Sequence, residues 1–199
     1  MEDTVLVPGA RRVEGTLDAP DADATACVVA CPPHPQHGGN RRDGRLRAVA
    51  DYLCARGVAC LRFDYGPWDD GLGEREDARN AVRWARERYD RVGLFGFSFG
   101  AAMAALAAAD VRVDALALLA PAANVGDDPG VPGALRGTET PCLVVYGERD
   151  DLADWRPVVD AARDRGARVE GFPGDHFFVG QHDRLADRLG GFLVETLTA

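Results

Sequence analysis

The chain contains no lysine: all 23 basic residues are arginine, and 32 acidic residues leave a formal net charge of −9 over 199 residues. Without a lysine amine the chain cannot supply a Schiff-base mechanism or a phosphate-binding P-loop, because both depend on lysine. An acidic surface also disfavours nucleic acid and anionic membranes, since their phosphates carry charge of the same sign. We therefore expect neither nucleic acid nor a membrane as a partner.

Long apolar runs are also missing. No apolar run approaches the roughly 20 residues that a membrane-spanning helix requires. The chain starts with the acidic sequence Met1-Glu2-Asp3, whereas a signal peptide starts with basic residues. These two observations predict a cytoplasmic protein.

Cysteine is scarce, and its odd count of five does not favour a disulfide framework. Four cysteines fall in apolar runs that predict strands and one in a predicted helix, so we expect buried, small apolar side chains. Neither Cys60 nor Cys142 lies on a sharp turn between a strand and a helix, which disfavours a cysteine nucleophile. The five residues are Cys27, Cys31, Cys54, Cys60 and Cys142.

Two of the cysteines precede two histidines in a spacing that resembles a zinc site, Cys27 and Cys31 followed by His34 and His37. Residues four positions apart on one strand are about 13 Å apart, at about 3.3 Å per residue. That separation is too large for both sulfurs to bind one zinc ion. We therefore expect no metal site.

The composition is that of an ordinary globular protein, with 46% apolar and 28% charged residues, and predicts one soluble domain over residues 1–199. Predicted strands alternate with predicted helices, which indicates an α/β fold: a mostly parallel twisted sheet with helices on both faces. The predicted strands lie near Val5, at residues 13–17 and 26–31, near Val58, and at residues 91–95, 113–120, 142–146 and 167–172. The predicted helices cover residues 41–56, 74–89, 101–109 and 181–196, and another begins near Leu152.

A Gly-x-Ser-x-Gly motif at residues 96–100 joins a predicted strand to an alanine-rich predicted helix. This context is typical of a nucleophile elbow, in which the serine is held on a strained turn at the end of a strand. Gly96 and Gly100 are small enough for the strand and the helix to pass closely. The motif therefore predicts Ser98 as a nucleophile, and the competing interpretation is a serine that caps the following helix.

A serine nucleophile needs a base, and the base needs an orienting acid; behind an elbow these follow in the order Ser, acid, His. Asp150 lies in the loop after the predicted strand 142–146 and is the predicted acid. Asp151 and Asp154 remain alternatives, and any of the three could instead stabilise the start of the next helix.

His176 is the predicted base, because it lies after the acid in a loop that follows a predicted strand, where Pro173, Gly174 and Asp175 favour a turn. His182 is an alternative within the predicted last helix. Phe177 and Phe178 are expected to pack the His176 loop against the core.

The oxyanion formed on the substrate needs two N–H donors. One is the N–H of Phe99, which follows the nucleophile, and the other comes from the loop after the predicted strand 26–31. That loop has the sequence PPHPQHGGN at residues 32–40, and its prolines cannot donate. His34, Gln36, His37 and the glycines remain as donors, and we favour His34.

These features resemble the short, lidless members of the α/β-hydrolase superfamily, near the predicted hydrolases that are similar to dienelactone hydrolase. The similar segments span most of the chain: the turn that ends at Gly38-Gly39, the strand CLRFDY at residues 60–65, the run GERED at residues 73–77 with Ala81 and Trp84, the elbow, the sequence GERD at residues 147–150, and HFF at residues 176–178. The resemblance implies the α/β-hydrolase fold. The loop-rich residues 121–141 lie where larger hydrolases insert a cap domain and are too few to form one.

The implied activity is a serine hydrolase that cleaves a small-molecule ester or thioester through an acyl-enzyme, with no cofactor, as a monomer or small homo-oligomer. Haloalkane or epoxide chemistry would require an aspartate in place of Ser98. Similar chains carry His-Pro or His-Gly where this one has Pro32-Pro33, and Arg-Gly where it has Gly66-Pro67-Trp68. These departures leave a non-catalytic binding or scaffold protein as the alternative. Tyr65 and Trp68 either line the acyl pocket or pack a loop.

The lysine-free, acidic composition leads to a prediction about how stability depends on salt. Its cause is either codon bias toward arginine or adaptation to high salt, because salt shortens the Debye length from about 30 Å at 0.01 M to about 3 Å at 1 M and so screens repulsion. If the cause is salt adaptation, the melting temperature rises steeply between about 0.05 M and about 2 M KCl. Codon bias alone gives a nearly flat curve, and thermal melts across that range distinguish the two.

Overall fold

Eight strands form one sheet in the computed structural model, which describes residues 2–125 and 130–199. The strands are β1 (Glu2–Val7), β2 (Val13–Asp18), β3 (Ala26–Cys31), β4 (Ala59–Phe63), β5 (Arg91–Phe97), β6 (Ala115–Leu119), β7 (Cys142–Gly147) and β8 (Arg168–Phe172). Their order across the sheet is β1-β2-β4-β3-β5-β6-β7-β8. β2 pairs antiparallel with β1 and β4, and all pairings from β4 to β8 are parallel.

Helices cover both faces of this sheet, so the predicted α/β class is confirmed. The helices are α1 (Gly44–Cys54), α2 (Leu72–Arg86), α3 (Phe99–Ala108), α4 (Gly130–Gly137), α5 (Arg156–Asp164) and α6 (His182–Leu197), with a 3-10 turn at Pro35–His37. Buried residues of α2, α3, α4 and α5 share one core cluster, and those of α1 and α6 share the other. Because side chains alternate along a strand, Cys27, Val29 and Cys31 of β3 contribute to the first cluster and Val28 to the second.

The region predicted as loop at residues 121–141 contains a helix, which corrects that prediction. α4 covers Gly130–Gly137, and its Val131 and Leu135, one turn apart, are buried. The glycines and prolines of this stretch led to the prediction of a loop, because both residue types have a low intrinsic propensity for helix. Gly126 and Pro129 of the same stretch lie outside the described residues.

The helix expected near Leu152 begins later, at Arg156. One carboxylate oxygen of Asp150 accepts hydrogen bonds from the N–H groups of Leu152 (3.0 Å) and Ala153 (3.1 Å), which holds these residues in a turn. Pro157 then occupies the first turn of α5, where its missing N–H costs nothing. The other helix boundaries shift by one to three residues from their predicted positions.

None of the helices within residues 2–125 and 130–199 is long and apolar enough to cross a bilayer.

Four of the five cysteines are buried in the core, as expected, and only Cys54 is partly exposed. Burial raises the pKa of the Cys54 thiol to about 11 and that of Cys142 to about 12, so both resist forming the reactive thiolate.

We therefore expect the folded protein to react slowly with iodoacetamide at neutral pH, with Cys54 modified first. Unfolding in guanidinium chloride should expose all five thiols at once. Mass spectrometry of the labelled protein, with and without denaturant, checks both statements. Fast modification of Cys27 or Cys60 in the folded protein would contradict the packing of the core.

Candidate active site

The carboxyl ends of the parallel strands bring four loops to one edge of the sheet. The loop after β3 carries His34, the turn after β5 carries Ser98, and the loops after β7 and β8 carry Asp150 and His176. Ligands of open parallel sheets bind at this edge. The sequence-predicted residues therefore meet because of the topology of the sheet, although the last two are far from Ser98 along the chain.

Ser98 is held in a strained backbone conformation between β5 and α3. Its φ is +57°, a value that costs a residue with a side chain about 1–3 kcal/mol. The Ser98 N–H donates to the carbonyl of Leu119 at 2.8 Å, which ties the turn to β6. The Ser98 side chain makes no capping hydrogen bond to α3, so the capping interpretation does not apply.

The two glycines of the motif are required by close backbone contacts. A Cβ atom on Gly96 would lie 2.2 Å from the carbonyl oxygen of Gly100, and one on Gly100 would lie 2.2 Å from that of Cys31. Backbone atoms cannot move aside as a flexible side chain can. Alanine at either position would therefore push α3 away from the strand or from the loop after β3.

His176 makes contacts on both sides of its ring. Its Nε2 lies 2.9 Å from the Ser98 Oγ, and its Nδ1 lies 2.8 Å from the Asp150 Oδ2. His176 is 8% exposed and Asp150 is 4% exposed, so the second contact is shielded from water. The ring of Phe97 lies 5.3 Å from the His176 ring between centroids, and that of Phe177 lies 5.6 Å away.

Asp150 uses its two carboxylate oxygens for different tasks. Oδ2 faces His176, and Oδ1 accepts the N–H groups of Leu152 and Ala153. These bonds fix the orientation of the carboxylate toward the histidine. Asp151 and Asp154, the alternatives from the sequence, are exposed, and neither contacts His176.

His182, the alternative base, lies on α6 and packs against α1. Its ring is within 2.9 Å of the position that a Cβ on Gly44 would occupy. The side chain lines a surface groove between the two helices with Asp51, Tyr52 and Asp187. The structure thus brings His176 to Ser98 and places His182 in another part of the molecule.

The loop after β3 uses up most of its backbone donors internally. The His34 carbonyl accepts from the N–H groups of His37 and Gly39, both at 3.0 Å, and the Gly38 N–H donates to Pro35 at 3.2 Å. The Gln36 N–H donates to the His34 Nδ1 at 3.3 Å.

Two donors at this edge stay open. Among the described residues, the His34 N–H makes no hydrogen bond, and neither does the Phe99 N–H at the start of α3. These are the two N–H groups that the sequence analysis selected. The N-terminus of α3 also directs its partial positive charge toward Ser98.

Aromatic rings line the side of the site that carries this loop. The ring centroid of His34 lies 4.6 Å from that of Trp68, 4.7 Å from that of Phe99 and 4.5 Å from that of His37. Tyr65 meets Phe99 edge to face at 5.7 Å, and its hydroxyl donates to the Pro32 carbonyl at 3.3 Å. Trp68 and Tyr65 therefore lie next to the residue that follows Ser98.

The pKa of His34 is lowered, first by burial of its ring and then by the neighbouring His37. A lowered pKa favours the uncharged imidazole. Since Nδ1 accepts the Gln36 N–H, the proton of the neutral ring is on Nε2. Burial also raises the pKa of Tyr65 well above its usual value, so its hydroxyl stays protonated.

A buried charged cluster that the sequence analysis missed holds the loop at residues 66–71. Glu74 and Asp77 on α2 are fully buried, and Arg11 forms ion pairs with both, at 3.3 Å and 3.0 Å. Burial raises the pKa of Asp77, although the Gly66 N–H and Arg11 oppose that effect. Of these residues, only Glu74 had a sequence signal. It is the third residue of α2, and a glutamate at this position accepts a hydrogen bond from the N–H of the N-cap residue, here Gly71.

Two surface cavities lie away from Ser98 and His176. One, of about 520 Å³, is lined by residues such as Glu14 and Asp64, and the other, of about 440 Å³, is the groove at His182. In the part of the chain that the structure describes, no cluster of three or more His, Cys, Asp or Glu side chains could hold a metal ion. Cys27 and Cys31 pack in the core beneath the sheet edge.

Comparison with known proteins by sequence gives a distant match. No protein-family model matches the chain. Two Mycobacterium tuberculosis proteins, from strains CDC 1551 and H37Rv, are 30% identical in an alignment of 172 residues that covers 76% of this chain. Both carry the provisional name phosphoribosyl transferase. The chain spans 35% of their length, so about two thirds of each relative lies outside the match.

Comparison by structure gives close matches over the whole chain. An α/β serine hydrolase homologue from Coxiella burnetii is 27% identical, with a TM-score of 0.83 over 96% of this chain and 97% of its own. A serine hydrolase without a lid from Xanthomonas campestris is 24% identical, with a TM-score of 0.83 over 100% and 96%. Dienelactone hydrolase from Anabaena variabilis is 23% identical, with a TM-score of 0.81 over 99% and 98%.

Proposed function

Because the chain has the fold of the α/β serine hydrolases without a lid, we propose that it is a serine hydrolase that cleaves a small ester or thioester. One observation carries the proposal: His176 lies 2.9 Å from Ser98 and 2.8 Å from Asp150. The esterases and hydrolases among its structural neighbours support hydrolysis as the reaction class. The ester or thioester bond and the residue roles given below are part of the proposal.

In the acylation half of the reaction, the Ser98 Oγ forms a bond to the substrate carbonyl carbon while His176 Nε2 takes the hydroxyl proton. The carbonyl oxygen becomes an oxyanion, which accepts hydrogen bonds from the N–H groups of Phe99 and His34. His176 then gives its proton to the leaving alcohol or thiol as the bond from carbon to that group breaks. The acyl group stays on Ser98.

In the second half, water replaces the alcohol. His176 takes a proton from the water as its oxygen bonds to the acyl carbon, and returns a proton to the Ser98 Oγ as the acid leaves. Asp150 stabilises the protonated histidine throughout and keeps Nε2 directed at Ser98. No group other than water and these side chains is needed to balance the reaction.

The name of the Mycobacterium tuberculosis relatives gives no second candidate, since the match spans about a third of their length. A non-catalytic binding protein on the same fold stays the alternative. It is motivated by the departures at Pro32-Pro33 and Gly66-Pro67-Trp68. The experiments below distinguish it from the enzyme.

Ser98 is the only serine in the chain, which sharpens the labelling experiment. We expect a fluorophosphonate probe to modify one site in the folded protein, and peptide mass spectrometry to locate it at Ser98. Ser98→Ala should abolish labelling and the hydrolysis of short p-nitrophenyl esters while keeping the melting temperature of a folded protein. A folded wild-type protein that neither labels nor hydrolyses these esters would favour the binding protein.

Paired variants test the base and the acid. His176→Ala should lower kcat/KM by about 10³-fold or more, because triad members act as a unit. His182→Ala is its matched control and should stay near the wild-type rate. Asp150→Asn should also cost about 10³-fold to 10⁴-fold, and Asp151→Asn little. Equal losses in either pair, measured with p-nitrophenyl acetate, would refute that assignment.

A further inference from the structure

We propose that the site selects substrates whose acyl group is a planar aromatic ring, and that Trp68 is the residue that selects them. This inference rests on the proposed function and extends it to a substrate class. It is carried by the rings of His34, Trp68 and Phe99, which meet beside Ser98, and by the buried cluster that fixes the loop bearing Trp68.

The mechanism assigns the two halves of the substrate to different sides of Ser98. The leaving group must lie beside His176, because Nε2 donates the proton to it. Phe177, which is 51% exposed and contacts the His176 ring, lies on that side. The acyl group therefore extends away from His176, toward the rings that pack on Phe99.

The rings on that side form an aromatic wall, made of His34, Trp68 and Phe99. Each pair of centroids lies within 5.8 Å, and Trp68 is tilted by 33° to His34 and by 50° to Phe99. Trp68 and His34 are half-buried, so part of each side chain stays exposed. Aromatic groups gain about 0.5–1.5 kcal/mol from such offset or edge contacts beyond the area they bury.

None of the three side chains of the wall carries a permanent charge, which suits an apolar ring. The lowered pKa of His34 favours its uncharged form, and the indole N–H of Trp68 donates to Asp70 Oδ1 at 3.1 Å. An open wall also differs from a tunnel. A tunnel would enclose a long flexible acyl chain, whereas a wall provides contact area to a flat group.

The loop at residues 66–71 is fixed by the buried cluster, so Trp68 is held before substrate arrives. Glu74 accepts the Asp69 N–H at 3.0 Å and the Gly71 N–H at 2.8 Å. Asp77 accepts the Gly66 N–H at 2.9 Å, and Arg11 donates to the Pro67 carbonyl at 2.5 Å. Anchors therefore lie on both sides of Trp68.

Two residues beside Trp68 have left-handed backbone angles, which glycine adopts freely and aspartate tolerates better than most residues. Asp70, which binds the indole N–H, has a φ of +51°, and Gly71 has a φ of +89°. A non-glycine residue keeps a positive φ only where its surroundings impose it. These backbone angles and the hydrogen bonds to the buried carboxylates together hold the chain on the C-terminal side of Trp68 in one conformation.

The test compares p-nitrophenyl benzoate with p-nitrophenyl butyrate, which share a leaving group and differ in the acyl group. We expect Trp68→Ala to lower the benzoate-to-butyrate ratio of kcat/KM by about tenfold, the equivalent of about 1.4 kcal/mol. The loss should appear mainly as a higher KM for the benzoate ester. Trp68→Phe should recover most of the ratio, because it restores an aromatic face.

Phe177→Ala is the matched control on the leaving-group side. It should change the rates of both esters in the same proportion and leave their ratio unaltered. A ratio that Trp68→Ala leaves unchanged, or that Phe177→Ala lowers instead, would overturn the inference while the hydrolase stands. A wild-type protein that labels with fluorophosphonate but prefers butyrate would also overturn it, and one that neither labels nor cleaves either ester would refute the proposed function itself.

Discussion

The close approach of three backbone segments at Gly96 and Gly100 is the constraint on which the site depends. With no side chain between them, the end of β5, the start of α3 and the loop after β3 come into direct contact. This contact forces Ser98 into its positive φ, directs its Oγ outward and brings the His34 loop beside the Phe99 N–H. The candidate site is thus organised by backbone packing as well as by its side chains.

A second layer of order comes from buried charge. Glu74 and Asp77 are removed from water, where an unpaired carboxylate would be costly, and they are stabilised by Arg11 and by backbone N–H groups of the loop at residues 66–71. A loop that moved away would leave the buried carboxylates without these N–H donors, which favours the packed position of the loop.

The parts of the molecule that depend on local patterns could be predicted from the sequence, and those that depend on distant contacts could not. The strand before Ser98 and the order of Asp150 and His176 followed from apolar runs and turn residues. α4 was missed, since burial of Val131 and Leu135 outweighs its glycine and proline content. The late start of α5 depends on how Asp150 is oriented, and the Arg11 cluster depends on residues more than 60 positions apart.

The single serine has a consequence for observing the molecule. A sample grown with isotope-enriched serine would carry its label at one position only, the turn between β5 and α3. Its nuclear magnetic resonance spectrum would then contain one serine signal, with a chemical shift set by the unusual backbone angle and no signals from unlabelled residues. Formation and breakdown of any covalent adduct could be followed at that one atom group in solution, without a chromogenic ester and without altering a residue.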